Sequence, residues 1–282
     1  MVETMRDFSS QMYEFFLNEM LRTGYKSVSL AEWCEGIRHP KTIVLRHDVD
    51  RFPKRSLDFA RIENRIGVKS TYYFRYKKNV FVPEIIKEIS SLGHEIGYHY
   101  EVLSDASGDI SKARELFSKN LTAMRKIVPV VTAAMHGRPL SPYREVDFWK
   151  NAELSEFALI GEAYVSFQGN AIPYLNDTGR TWQDGTYNLR DKMLPAGLPD
   201  KRQNNTLDTS KPPSQKVTSL DKIATTEDLL ALLHQGKYSE LYLSFHPERW
   251  PTGRLAQMIA AAQDAFFNQI KRVLRLLRHV HL

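Results

Sequence analysis

The stretch that decides the fold is Thr42-Ile43-Val44-Leu45-Arg46-His47-Asp48-Val49-Asp50-Arg51. Its first four residues are aliphatic or β-branched, the pattern of a strand buried in a parallel sheet. The polar residues that follow stand at the carboxyl end of that strand, where α/β enzymes place their chemistry. Alternate residues of a strand face the same way, so Asp48 and Asp50 are predicted to point together while Val49 points into packing.

Two carboxylates this close together need a cation or a shared proton between them. A divalent metal is the simplest solution, which makes Asp48 and Asp50 candidate site residues. The alternative is a pair of solvated acids in a surface loop, paired with Arg46 and Arg51. For an isolated Asp-x-Asp motif this alternative is favoured, because surface ion pairs are common. Further polar clusters downstream favour the metal site instead.

Apolar runs alternate with amphipathic segments along most of the chain. Besides the strand at 42–45, the patterns predict strands at residues 70–74, 95–98, 128–135, 159–165 and 241–245. Helices are predicted at 12–21, 56–66 and 110–124, with another opened by Pro83. This alternation predicts an α/β fold with a parallel sheet and right-handed crossovers. We interpret residues 1–282 as a single catalytic domain with an N-terminal helix over 8–24, a polar insertion at about 191–218 and a C-terminal helix over 254–282.

The composition is that of an ordinary soluble globular protein, with 42% hydrophobic and 26% charged residues. A net charge of +6 fits an anionic or phosphorylated ligand or a membrane surface. Nucleic acid is not predicted as a partner, because no basic-aromatic binding motif accompanies the charge. The single cysteine, Cys34, excludes an intramolecular disulfide and a cysteine-based zinc site. With no signal-peptide pattern and no long apolar segment, the expected location is the cytoplasm.

Three further polar clusters follow predicted strands, and each contains a histidine. The clusters are His99-Tyr100-Glu101, His136-Gly137-Arg138-Pro139 and His246-Pro247-Glu248-Arg249-Trp250. One histidine after a strand is more often a hydrogen-bonded core residue than a ligand. Histidines and aspartates after several strands of one parallel sheet converge, however. A mixed imidazole and carboxylate set suits catalytic zinc or another first-row metal, which activates water and polarises a carbonyl.

The chain resembles the polysaccharide deacetylase family, the NodB-homology carbohydrate esterases. The resemblance rests on Asp48-x-Asp50, on Gly93-His94-Glu95-Ile96-Gly97-x-His99 and on His246-Pro247, in matching order over about residues 40–250. It implies a distorted (β/α) barrel with about seven parallel strands, one divalent metal ion and hydrolytic removal of an N- or O-acyl group from a sugar. By the same match, Asp48 is the catalytic base, Asp50 and His99 are metal ligands, and His246 is the catalytic acid.

The chain departs from the family at the second metal histidine, whose position is occupied by Leu103. Either the metal is lost or another residue replaces this ligand. We expect His136 to do so, because it stands at the end of the next predicted strand, with Glu101 as the second choice. His94 is expected to pack or to cap a helix end.

A polar and aromatic segment, residues 174–182, lies between the third and fourth clusters. It is interpreted either as a substrate rim or as a simple turn around Gly179. On the first interpretation it closes over the substrate, with Trp182 stacking on a sugar face and Arg180 binding a carboxylate or phosphate. The candidate substrate-binding residues are Arg138, Asp177, Arg180, Trp182 and Trp250.

The expected substrate is a carrier-linked amino sugar, nucleotide- or lipid-bound, used in surface polysaccharide (O-antigen or capsule) biosynthesis. The alternatives are a metal-dependent amidohydrolase acting on a small non-sugar amide, and an inactive glycan-binding pseudoenzyme. The C-terminal helix carries an apolar face with basic residues beside it, which allows peripheral membrane contact. Packing of this face on the domain or on a second subunit is favoured. The oligomeric state is not determined by the sequence.

Overall fold

The structure is a computed structural model that describes residues 5–138, 140–170, 172–182 and 223–279. Within these ranges eight strands form one sheet, and every paired strand is parallel to its neighbour. In chain order the strands are β1 Lys26–Val28, β2 Thr42–Val49, β3 Thr71–Arg75, β4 Glu95–Tyr100, β5 Thr132–Met135, β6 Gly161–Glu162, β7 Tyr174–Asn176 and β8 Glu240–Phe245. The predicted polar insertion at 191–218 lies outside the described residues.

Seven of the strands follow the order β6-β5-β4-β3-β2-β8-β7, and the short β1 pairs with the first residues of β2. The sheet curls into a half-barrel, which is compatible with a distorted (β/α) barrel. The predicted α/β fold with an all-parallel sheet of about seven strands is therefore confirmed at this level.

Strand β2 lies in the middle of the sheet, between β3 and β8, and all of its residues are buried. It continues past its predicted end at Leu45, because its last four residues pair with β3. His47 and Asp48 consequently lie inside the strand, where successive side chains point to opposite faces of the sheet. Only Asp50 follows the strand, at its carboxyl end.

The helices are α1 Ser10–Arg22, α2 Leu30–Cys34, α3 Pro53–Ile66, α4 Pro83–Ser91, α5 Val102–Asp105, α6 Ile110–Arg125, α7 Thr226–Gln235 and α8 Arg254–His279. The helices predicted near residues 12, 56, 83 and 110 are confirmed within a few residues. The N-terminal helix is shorter than the predicted 8–24, since Ser9 caps it by accepting a hydrogen bond from the Met12 amide. Helix α7 was not predicted, although Thr225 and Asp228 form a capping box at its start.

Helix α1 belongs to the hydrophobic core and packs against α3 and α7. Its rings of Tyr13 and Phe16 are fully buried, and both contact Phe245 at the end of β8. Burial of an aromatic side chain contributes about 1.5–3 kcal/mol of hydrophobic free energy. The N-terminal helix therefore fixes the strand that leads to His246.

Helix α8 carries the apolar face that was expected to pack on the domain or on a second subunit. Leu255, Ile259 and Phe266 on that face are exposed, whereas Asp264 and Asn268 are buried. Packing on the domain is therefore wrong for these side chains, because buried polar residues make the contact with the described part of the domain. Packing on a second subunit stays a prediction. Membrane contact through the helix stays a prediction. Among the described residues, no helix combines the length and apolar character needed to cross a membrane.

Candidate metal centre

Three predicted ligands meet where β2, β4 and β5 end. Asp50 follows β2, His99 lies on β4 opposite Ala134 of β5, and His136 follows β5. Oδ1 of Asp50 lies 3.3 Å from Nε2 of His99 and 3.4 Å from Nε2 of His136. One ligand atom from each of the three residues lies within 4.8 Å of the others. The predicted convergence of these three side chains is thus confirmed.

The two distances from Oδ1 of Asp50 to the imidazole nitrogens fit a first-row metal. A tetrahedral ion with bonds of about 2.0–2.1 Å separates its ligand atoms by about 3.3–3.4 Å. Oδ1 of Asp50 is buried and, among the described residues, has no hydrogen-bond partner. An orphaned carboxylate oxygen between two imidazole nitrogens is the donor set that zinc takes at catalytic sites, with a fourth position left open.

Both histidines are held by contacts on the other side of the ring. Nδ1 of His99 lies 3.0 Å from the carbonyl oxygen of Ala134, and Nδ1 of His136 lies 3.1 Å from Oε2 of Glu101. Bonds of this kind place the proton on Nδ1 and leave Nε2 free to bind metal. Glu101 is in turn fixed by Arg75, which donates to both of its oxygens at 2.8 and 3.0 Å.

These contacts distinguish the two residues, His136 and Glu101, that were considered as replacements for the metal histidine missing at position 103. Glu101 lies behind the His136 ring, so it orients this histidine, and His136 itself faces the site. Leu103 is buried at the start of a short helix, where its amide donates to Oε2 of Glu145 at 2.9 Å. Position 103, where the resemblance places a second metal histidine, is therefore occupied by a buried apolar side chain.

Electrostatics favour a cation at this place. Burial alone would lower the pKa of His136, but the carboxylates of Asp50 and Glu101 outweigh it and raise this pKa to about 9. Burial likewise opposes ionisation of Asp50, yet His136 and His99 hold the pKa of its carboxyl well below the usual value. The cluster thus retains positive charge next to Asp50, the role that a bound metal ion would fill.

Asp48 lies between the ligand cluster and His246, but it is bound to Arg46. The Arg46 guanidinium donates to both carboxylate oxygens at 2.7 Å and also to the hydroxyls of Tyr242 and Tyr164 at 3.0 Å. Burial raises the pKa of Asp48, and the charge of Arg46 more than reverses this, so that the pKa is lowered. Oδ2 of Asp48 lies 3.9 Å from Nε2 of His99. The ion pair of Asp48 with Arg46, which the alternative interpretation placed in a surface loop, is therefore buried.

His246 is oriented by Asp177, a residue that was predicted to bind substrate. Asp177 is fully buried, and its Oδ1 lies 2.6 Å from Nδ1 of His246. Its Oδ2 accepts from the His246 amide at 2.9 Å and from Nε1 of Trp250 at 2.6 Å. Burial and Arg249 lower the pKa of His246, but Asp177 outweighs them and the pKa is raised. Nε2 of His246 then faces Oδ2 of Asp48 at 4.0 Å.

The prediction that Trp182 and Arg180 form a substrate rim is wrong. Trp182 is fully buried, donates from Nε1 to the Thr226 hydroxyl at 3.1 Å and packs edge-on against Phe245. Arg180 donates to the carbonyl oxygens of Arg249 at 2.5 Å and Phe8 at 3.2 Å. The segment was interpreted as a loop, but its first residues form β7, and the turn that follows directs these side chains inward.

Trp250 was predicted to line the substrate pocket, but its ring is buried and its indole N–H donates a hydrogen bond to Asp177. The turn around Gly179, the alternative interpretation of the segment, is present: Gly179 and Arg180 both have left-handed φ angles of 81° and 58°. Among the five candidate substrate-binding residues, Arg138 does line the open cleft described next, where it pairs with Asp105 at 3.0 Å.

A cleft of about 720 Å³ opens beside the metal cluster, within the size range of small-molecule sites. Its wall includes Asp50, Arg51, His136, Arg138 and Glu248. Glu248 was not singled out from the sequence. Burial and the nearby charge of Asp50 raise the pKa of its carboxyl to about 7. The only sequence signal for it was its place two residues after His246.

His47, part of the first polar cluster, belongs to a separate buried network on the opposite face of β2. Its Nε2 lies 2.6 Å from Oε1 of Glu63, whose other oxygen accepts from Tyr72 at 2.7 Å. His94 joins the same network through the Ser70 hydroxyl at 3.1 Å, which agrees with its predicted packing role. Gly97 of the same motif lies under the ring of Tyr73, and an added Cβ there would collide with that ring.

Comparison of the chain with protein-family models, with curated proteins and with solved structures finds no match.

Proposed function

We propose that the protein is a metal-dependent hydrolase that removes an acyl group from a sugar. The observation that carries the proposal is the Asp50, His99 and His136 cluster with Asp48 and the Asp177-oriented His246 beside it. Two imidazoles and one carboxylate with an open position suit catalytic zinc, which polarises a carbonyl and lowers the pKa of water. The motifs around these residues support membership of the polysaccharide deacetylase type.

The protein groups supply the proton transfers of an acyl hydrolysis. Asp48, ionised beside Arg46, accepts the proton of the attacking water as the water oxygen bonds to the acyl carbon. His246 donates its Nε2 proton to the departing nitrogen or oxygen as the bond to the acyl carbon breaks. Asp177 keeps this imidazole protonated and correctly oriented. The products are a carboxylic acid and a free sugar amine or hydroxyl.

The proposed substrate is a carrier-linked amino sugar of surface polysaccharide biosynthesis, met in the cytoplasm. The net charge of +6 and the arginines that line the cleft agree with a phosphate-bearing carrier. The guanidinium of Arg51 is the least committed of them, because its nearest carboxylate among the described residues, that of Glu248, is 3.9 Å away. This contact is longer than a hydrogen bond.

A second candidate function is glycan binding without hydrolysis. It is favoured by the double hydrogen bond from Arg46 to Asp48, since a carboxylate with a lowered pKa is a weaker base. The two functions differ in turnover but not in metal content, provided that the cluster holds its ion in both.

The test combines metal analysis with acyl release. Protein purified without chelator is expected to contain about one metal ion per chain, and to release acetate from N-acetylated nucleotide-linked sugars. Asp48→Asn should keep its metal and lose turnover on the order of a hundredfold or more, the scale of general base catalysis. Metal without turnover in the unaltered chain would favour the binding protein. Absence of metal, with acetate release insensitive to chelator, would refute the proposed mechanism.

A further inference from the structure

Glu248 presents a buried carboxyl group without a partner in the wall of the cleft. Its residue is only 3% exposed, and neither Oε1 nor Oε2 has a hydrogen-bond partner within the ranges that the structure describes. Among the described residues, the closest cationic atom is Nε of Arg51, 3.9 Å from Oε1, which is too long for a hydrogen bond. Both residues line the cleft that opens beside Asp50 and His136.

An unpaired carboxyl group in this position is unfavourable for the free protein. Burying a polar group without a hydrogen bond costs free energy, and burying an unpaired carboxylate costs more. The neighbouring charge of Asp50 adds repulsion. A ligand in the cleft that donates a hydrogen bond to this carboxyl would remove that cost. Glu248 is not a member of the metal cluster, whose ligand atoms come from Asp50, His99 and His136.

The position of Glu248 indicates which part of a ligand it meets. It follows His246 by two residues, in the short 3-10 turn Pro247–Arg249, and interacts electrostatically with both His246 and Asp50. His246 is the proposed donor of a proton to the leaving atom of the substrate. The carboxyl of Glu248 therefore belongs to the cleft wall and lies within electrostatic reach of the proposed proton donor.

We propose that Glu248 binds the amino nitrogen of the sugar, as an amide N–H in the substrate and as an ammonium group in the product. This inference rests on the proposed function and narrows it from N- or O-deacylation to N-deacylation. An amide offers an N–H donor to Glu248, whereas an ester oxygen at the same place offers none. The ammonium product then forms a charge-assisted hydrogen bond with the carboxylate.

The experiment measures binding, so that it does not depend on turnover. Glucosamine and glucose are titrated at neutral pH into the metal-loaded protein, and affinities are compared for the unaltered chain, Glu248→Gln and Glu248→Ala. The unaltered protein should prefer glucosamine by roughly tenfold or more, the value of a hydrogen bond to a charged group. Both variants should lose this preference while affinity for glucose and metal content stay unchanged.

Glu240→Gln is the matched control, because Glu240 stands at the opposite end of β8 and pairs with Arg38 at 3.0 Å. It should keep the preference for glucosamine. Equal binding of glucosamine and glucose by the unaltered protein, or a preference that survives in Glu248→Gln, would overturn the assignment of Glu248. A glucosamine preference that depends on Glu248, in a protein that releases no acyl group, would refute the hydrolase and leave the amine site standing.

Discussion

Glu101 lies 3.1 Å from Nδ1 of His136, on the side of the imidazole ring that faces away from Asp50. The carboxylate thereby fixes which nitrogen of His136 carries the proton and which one faces the site. Arg75 holds Glu101 in this position. A residue first considered as an alternative ligand is therefore part of the support of the ligand.

Loss of this support should weaken metal binding without removing it. Glu101→Gln should lower zinc affinity roughly 10- to 100-fold, the usual effect of removing a carboxylate behind a ligating histidine. His136→Ala should prevent stoichiometric binding. Competition with a chromophoric chelator measures both. His234→Ala is the control, since His234 pairs with Glu19 outside the cluster. Unchanged affinity in Glu101→Gln would show that Glu101 does not prepare His136 for the metal.

Replacing Asp177 should alter both the rate and the pH dependence of acyl release. Asp177→Asn removes the charge that raises the pKa of His246. His246 acts as an acid, so activity falls as pH rises through this pKa, and the alkaline limb should move to lower pH. The turnover number should fall on the order of 10²- to 10⁴-fold. Trp250→Phe, which removes one hydrogen bond to Asp177 but keeps its charge, should move the limb less. The prediction is checked by measuring the pH dependence of acyl release for the unaltered chain, Asp177→Asn and Trp250→Phe.

The ligand cluster could be predicted because strand order and register bring the ends of β2, β4 and β5 together once the sheet is parallel. Asp50, His99 and His136 each follow or end an apolar run that is visible in the sequence. The sequence pattern does not predict in which direction a side chain points in the turn after a short strand. Trp182 and Asp177 were expected to meet substrate, but β7 and the turn after it place them in the interior.

Stability of the metal-free protein should fall between neutral pH and about pH 9. The folded pKa of His136 is raised to about 9 from an ordinary value of 6.5. A group whose pKa is raised by folding binds its proton more tightly in the native state. Its contribution is complete below pH 6.5 and disappears as pH rises through 9. Thermal melts of chelator-treated protein should show this loss, and His136→Ala should lack it. An equal decline in the variant would assign the effect to other groups.

Replacing Arg51 by alanine should change substrate binding, whereas replacing Arg180 by alanine should change stability. The Arg51 side chain is 42% exposed and lines the cleft, so it is positioned to meet a phosphate of the carrier. Arg51→Ala should raise the Michaelis constant for a nucleotide-linked sugar and change that for the neutral free sugar little. The effect on the charged substrate should weaken as salt is added, because exposed charges are screened.

Arg180→Ala should instead lower the melting temperature. The Arg180 guanidinium donates to the carbonyl oxygens of Arg249 and Phe8, and these acceptors lose their partner in the variant. The cost is about 1–3 kcal/mol for each buried group left unsatisfied. Ratios of the Michaelis constants for charged and neutral sugars, measured beside thermal melts, separate the two roles. A charge-selective loss of affinity in Arg180→Ala, with an unchanged melting temperature, would return the carrier-binding role from Arg51 to Arg180.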